Sequence, residues 1–137
     1  MAKGKKALLL SHADTTLSQL NYAVALQVLA AKVGFDWPNV AAVADKIQEE
    51  LAEVLAETTQ PDNHERLQDE IGDLLFACTN LARHLNVDPE KAIAAGNLKF
   101  QRRFNAIEQH ILKQNKTLSD FNTDELNQFW QDIKAQE

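Results

Sequence analysis

One ten-residue pattern occurs twice in this chain and limits what it can fold into. Residues 46–55 read KIQEELAEVL and residues 66–75 read RLQDEIGDLL. Apolar residues recur at three- and four-residue spacing in both: Ile47, Leu51 and Val54, then Leu67, Ile71 and Leu74. This is the period of an amphipathic α-helix, not the two-residue alternation of a strand. Between the copies TTQPDN breaks the helix, because Pro61 cannot continue one and Asn and Asp favour turns. So short a connection predicts an antiparallel helix pair. The stripe Val43, Ile47, Leu51, Val54 should pack on the stripe Leu67, Ile71, Leu74, Cys78, Leu81, Leu85.

Helical period extends over the rest of the chain, and four Gly and three Pro leave little to interrupt it. Five helices are expected. The first runs from 15 or 16 to 32 and ends near Gly34; the second covers 40–57, with Pro38 at its first helical position. The third covers 64–85, and the fourth 89–113 after an Asp88 N-cap. A fifth follows a Thr123 cap and carries Leu126, Phe129, Trp130 and Ile133. No segment alternates usefully with period two. The expected fold class is all-α: a bundle of about five helices around the central antiparallel pair. A length of 137 residues predicts one domain, 15–137, preceded by an N-terminal arm, 1–14.

A formal net charge of −6 argues against a nucleic-acid polymer or an anionic membrane as partner. It leaves room for a phosphate-bearing ligand, since bound cations reverse the local sign of a site. ALLL at 7–10 is too short to span a bilayer. The lone Cys78 cannot form an internal disulfide, which fits a reducing compartment, the cytoplasm. The first helix is apolar nearly all round, and Phe76 lies opposite the main stripe of the third; both point to a homodimer.

The acids of the doubled pattern carry the chemistry. On a helical wheel Glu50 and Glu53 lie about 60° and 120° from Ile47 on one flank. Glu70 and Asp73 repeat those offsets from Leu67. In an antiparallel pair the four carboxylates should converge beside the seam, with Lys46 and Arg66 one turn before Glu50 and Glu70 as i, i+4 partners. Like charges near 4 Å repel by roughly 4 kcal/mol at a surface-like dielectric. Such a cluster stays apart, holds protons, or surrounds a cation. Oxygen donors without Cys or His favour a hard ion, Mg²⁺ or Mn²⁺. The competing reading is a solvated acidic helix face. A di-iron bundle is excluded, because none of His12, His64, His84 and His110 has a Glu three residues before it. On the fourth helix Lys99 and Arg103 stand one turn apart beside the stripe Ile93, Phe100, Phe104, Ile107, Ile111, either as a solvated basic edge or as a phosphate clamp.

EELAE at 49–53 followed by EIGD at 70–73 resembles the EExxE…ExxD signature of the all-α nucleoside triphosphate pyrophosphohydrolases. KVGFDWPNV at 32–40, EIGDLLFACTNLARHLNVDPEKA at 70–92 and NLKFQRRFNAIE at 97–108 extend the likeness to the catalytic C-terminal domain of MazG. The resemblance implies Mg²⁺-dependent hydrolysis of a nucleoside triphosphate to a monophosphate and pyrophosphate, clearing unwanted or surplus nucleotides. By matching position it implies Glu50, Glu53, Glu70 and Asp73 as metal ligands, and Lys46, Arg66, Lys99 and Arg103 as triphosphate contacts. Trp130 matches an aromatic residue near the nucleotide, or else anchors a core or interface; Asn97 is a further polar contact. Glu49, beside the cluster, is the candidate for activating the attacking water, a role Glu53 could share. Trp37 reads as a packing residue. The first helix, YAVALQVLAAK, is more apolar than the MazG pattern, which favours a larger dimer interface there. Two other readings stand beside this one: a non-catalytic helical interaction module, and a relative that cleaves dUTP or phosphoribosyl-ATP.

Overall fold

The structure, a computed structural model, describes residues 6–137. Among them every regular element is helical. A 3-10 turn at Leu9–His12 precedes α1 (Gln19–Lys32), α2 (Val40–Glu57), α3 (His64–His84) and α4 (Pro89–Lys113). A second 3-10 turn, Leu118–Asp120, leads to α5 (Thr123–Ala135). The all-α expectation holds, and so do most helix limits.

Capping chemistry explains where the expected limits shift. Ser18 caps α1 by accepting from the Asn21 N–H, so the helix begins later than residue 16. Asn39, not the residue before Pro38, caps α2 by accepting from Ala42 N–H, which leaves Pro38 outside the helix. Asn122 and Glu125 form a reciprocal capping box at α5, so Thr123 is its first residue rather than its cap. At the C-terminal end of α1, Gly34 takes φ +88°, and the N–H groups of Gly34 and Phe35 return to Ala31 O and Ala30 O. Asn86 and Asn115 do the same after α3 and α4 with φ near the left-handed well, 58° and 57°.

The described residues form two compact units, the first ending at Glu90 and the second running from Lys91 to Glu137. In the first, α2 and α3 pack against each other and α1 packs on α3. Val43 lies near Ala77 and Asn80, and Glu50 and Glu53 lie near Glu70, the register of an antiparallel pair. The seam is rotated from the expected stripe. Its α2 face runs Val43, Ile47, Glu50, Val54; its α3 face runs Leu67, Glu70, Leu74, Ala77, Leu81. Leu51, Ile71 and Leu85 are 46%, 44% and 53% exposed, and Cys78 is exposed. Each helix carries more apolar surface than one neighbour can cover. Val43 and Ala77, at 1% and 6% exposure, are the buried apolar residues of the faces that turn inward. The acids are thereby drawn into the seam itself instead of standing beside it.

In the second unit Ile107 and Ile111 are the buried residues of α4, at 3% and 0% exposure. Phe129 of α5 meets His110 and Phe121 edge-on, with ring centroids 5.7 and 5.2 Å apart. The N-terminal part of the expected α4 stripe is exposed: Ile93 at 50% and Phe100 at 59%. Among the described residues no helix is long and apolar enough to cross a membrane.

Candidate functional site

Three of the four expected acids meet. Glu50, Glu53 and Glu70 each present a carboxylate oxygen, and these oxygens lie within 4.8 Å of one another. Glu50 is 5% exposed, Glu70 half-buried and Glu53 exposed, so the group runs from the seam to its mouth. Lys46 Nζ donates to Glu50 at 2.8 Å and to Glu49 at 3.4 Å. The Lys46 ammonium holds the Glu50 carboxyl below its ordinary pKa, against its burial, and Glu53 adds a hydrogen bond in the same direction. The opposite happens to Glu53. Hydrogen bonding to Glu70, then to Glu50, and repulsion from both push it up to about 7. One proton is thus retained near neutrality to relieve the crowding.

That proton does not complete the site. Glu50 Oε2 and Glu70 Oε2 are buried and have no hydrogen-bond partner among the described residues. A buried carboxylate oxygen without a partner is unfavourable, because it has lost water and gained nothing in exchange. What the place lacks is positive charge. An all-oxygen donor set of this density fits a hard divalent cation.

Asp73 does not share the three-carboxylate cluster. One turn beyond Glu70, it lines a cavity of about 260 Å³ with Trp37, Lys46, Glu50, Phe76 and Asn80. Burial, and then repulsion from Asp69 and Glu50, raise its carboxyl pKa. Glu49 stands at the rim, its side chain 58% exposed. Arg66 is exposed and, among the described residues, makes no ion pair with Glu70, contrary to the i, i+4 expectation; it borders the 60–66 loop instead. Asn97, Lys99, Arg103 and Trp130 belong to the second unit. There Arg103 donates to Glu137 at 2.6 Å and lies 5.6 Å from the Trp130 ring centroid, and Trp130 packs on Phe100 at 5.4 Å. Lys99 and Asn97 are exposed.

Some residues beside the acids escaped the sequence reading. Asp36 accepts from Arg83 Nη2, from His84 Nε2 at 3.0 Å, and from the Trp37 N–H at 2.8 Å. The Arg83 guanidinium holds the Asp36 carboxyl below its usual range, with His84 assisting, against the effect of burial. Arg83 also donates to Asn80 Oδ1 at 2.7 and 3.0 Å. This network ties the loop bearing Trp37 to α3, so Trp37 becomes a wall of the cavity as well as a packing residue. The available signal was the pair FDW and NLARH, whose charges match only when the fold brings them together.

Comparison with known proteins bears on this arrangement. A family model described as phosphoribosyl-ATP pyrophosphohydrolase matches residues 19–97, more than half of the chain and the stretch carrying Glu49, Glu50, Glu53, Glu70 and Asp73. The chain is 38% identical over 123 residues to the nucleoside triphosphate pyrophosphohydrolase of Escherichia coli (strain K12), covering 89% of this chain and 47% of that protein. It is 38% identical over 131 residues to the nucleoside triphosphate pyrophosphohydrolase/pyrophosphatase MazG of Thermotoga maritima, covering 96% of this chain and 50% of the relative. The chain therefore spans about half the length of these curated relatives. With the all-helical fold, these matches establish that the chain belongs to the phosphoribosyl-ATP pyrophosphohydrolase family, the MazG-like all-α pyrophosphohydrolases.

Proposed function

We propose that this chain hydrolyses nucleoside triphosphates to the monophosphate and pyrophosphate with Mg²⁺, or Mn²⁺ in its place, and so clears surplus or unwanted nucleotides. The observation that carries this reading is the pair of buried, unpartnered oxygens of Glu50 and Glu70 beside Glu53. Glu50, Glu53 and Glu70 would hold the cation, with Asp73 completing the set from one turn away. When bound, the cation neutralises phosphate charge and lowers the cost of forming hydroxide.

The remaining work falls to the chain's own side chains. Lys46, whose ammonium donates to Glu50 and Glu49, would bind a phosphate oxygen. Glu49, at the exposed rim, accepts the proton of the attacking water, and Glu53 can share that role. Arg66 supplies positive charge to the triphosphate. For Lys99, Arg103, Asn97 and Trp130, which belong to the second unit, the likeness to the relatives supports substrate-binding roles. The outward apolar side chains Leu51, Leu55, Ile71 and Leu75 support a homodimer in which a second copy covers them. The single cysteine supports a cytoplasmic setting.

The test is a panel of triphosphates, including dUTP and phosphoribosyl-ATP, incubated with protein and Mg²⁺ and assayed separately for pyrophosphate and orthophosphate. Pyrophosphate as the first product from several nucleoside triphosphates is expected. Orthophosphate first, or turnover of phosphoribosyl-ATP alone, overturns the assignment. Asp73→Asn should abolish turnover while the circular dichroism spectrum stays unchanged.

A further inference from the structure

The second unit holds an arginine fork that is already filled from within. Arg103 of α4 faces Glu137, the residue after the C-cap of α5. Its Nε donates to the two carboxylate oxygens at 3.0 and 3.2 Å, and its Nη2 donates to Oε2 at 2.6 Å. Arg102 adds a bond from Nη2 to Oε1 at 3.2 Å. The Arg103 guanidinium also lies over the Trp130 ring, 5.6 Å from its centroid. Its side chain is 15% exposed, against 65% for Arg102, so ring and carboxylate together hold one guanidinium in place.

Both Glu137 oxygens are thus engaged, and two N–H groups of one guanidinium meet them side by side. The backbone fixes how the acid arrives: Glu137 N–H donates to Lys134 O at 3.3 Å, continuing the last turn of α5. Arg103 and then Arg102 hold the Glu137 carboxyl at about 2, so it stays ionised through the neutral range and physiological pH does not open the contact. A phosphoryl group offers a guanidinium the same pair of oxygens as a carboxylate. The donors a phosphate would use are therefore the donors Glu137 occupies. Exposed ion pairs are weak enough to exchange, which suits a contact that a polyanion can displace.

We propose that Glu137 is an internal competitor for polyphosphate anions: it closes the Arg103 fork in the free chain, and a triphosphate or pyrophosphate must displace it to use those donors. The inference rests on the substrate-binding role proposed above for Arg103 and names a regulation of it. The apparent dissociation constant is the intrinsic one divided by the fraction of time the fork stands open, so a fork closed roughly 70 to 90% of the time weakens binding about threefold to tenfold. The same factor acts on the product. Glu137 is tethered to the fork and needs no diffusing partner to return, so it favours release of pyrophosphate.

The experiment uses the full chain, Glu137→Gln, Arg103→Gln and the double variant. Inorganic pyrophosphate and inorganic triphosphate are first titrated by calorimetry without metal. Glu137→Gln should bind both about threefold to tenfold more tightly than wild type, and the same change in the Arg103→Gln background should have no effect. Asp132→Asn removes one charge from α5 at a carboxylate that accepts from Gln128, and should bind like wild type. With Mg²⁺ and a nucleoside triphosphate, Glu137→Gln should lower KM and the inhibition constant of pyrophosphate by that factor, with kcat within twofold. Equal affinities in wild type and Glu137→Gln overturn the proposal. So do an equal gain in Asp132→Asn, a gain that persists without Arg103, or no binding to Glu137→Gln at millimolar pyrophosphate. Since the titration needs neither cation nor turnover, a wild type that releases no pyrophosphate, beside a Glu137→Gln that binds it more tightly through Arg103, refutes the enzymatic reading and leaves the competitor standing.

Discussion

Glu50→Gln separates a cation site from an ordinary acidic seam. Glu50 is 5% exposed, accepts from Lys46 at 2.8 Å through one oxygen and leaves the other unpartnered. Its nearest oxygen lies within 4.8 Å of Glu70's, a distance at which two unit charges repel by about 3.5 kcal/mol at an effective dielectric of 20. Glutamine keeps the shape and can still accept from Lys46, but it removes both that repulsion and the charge that Lys46 stabilises. Because the Glu50 carboxyl sits below its ordinary pKa, its charged form is favoured in the folded chain, so without metal the variant should melt no higher than wild type. With Mg²⁺ the gap should widen. At a hundredfold excess over Kd, wild type gains about 2.7 kcal/mol. At roughly 3–4 °C per kcal/mol for a chain of this size, that is about 8–11 °C in Tm. The variant should keep less than about 2 °C of the shift. The assay is a thermal melt followed by circular dichroism at pH 7.5, with EDTA or Mg²⁺. A variant that retains the full metal shift would show that the seam oxygens do not hold the cation. One that melts well above wild type in EDTA would show that repulsion among the acids outweighs the Lys46–Glu50 pair, which would refute the reasoning.

Proton release gives an independent check on the same residues. Glu53 titrates at about 7, well above its ordinary 4.5. Between those values the folded chain holds a proton that the unfolded chain has lost, so this contribution to stability is present at low pH and fades as pH rises through the window. Mg²⁺ added at pH 6 should expel up to about one proton, and almost none at pH 8.5; titration calorimetry in two buffers of different ionisation enthalpy reads this, and buffer-independent heats at pH 6 would contradict it. Arg83→Ala removes the clamp on Asp36 and should cost about 1.5–3 kcal/mol in urea unfolding. Because Asp36 sits below its usual pKa, that difference should shrink as acid protonates it; a difference unchanged at low pH would place the cost elsewhere. Ile71→Lys, at an exposed α3 position, should preserve the helical spectrum and convert a dimer to monomer in sedimentation; a monomeric wild type would remove that expectation.

Local chemistry alone sufficed for the helices. Spacing at 3.6 residues, Pro61 with its polar neighbours, and the left-handed position at Gly34 act within a few residues, so they are legible in order along the chain. The doubled acidic pattern likewise announced that Glu50, Glu53 and Glu70 would approach one another, because two similar helices joined by a short loop have one simple way to pair, but it also expected Asp73 in the group, which stands apart. Which face of each helix turns inward was not decided at that level. Period identifies a stripe only when the apolar residues form a single one; on α2 and α3 they spread wider, and only the burial of Val43 and Ala77 shows which face turned inward. That rotation moved Glu50 and Glu70 from a solvated flank into the seam, where losing water makes their unpaired oxygens matter. The pairing of Asp36 with Arg83 and the bond from Gln27 Nε2 to Thr79 Oγ1 also came only from the tertiary structure. Both join residues 47 to 52 positions apart in the chain, and only three-dimensional packing brings such distant partners within hydrogen-bond reach.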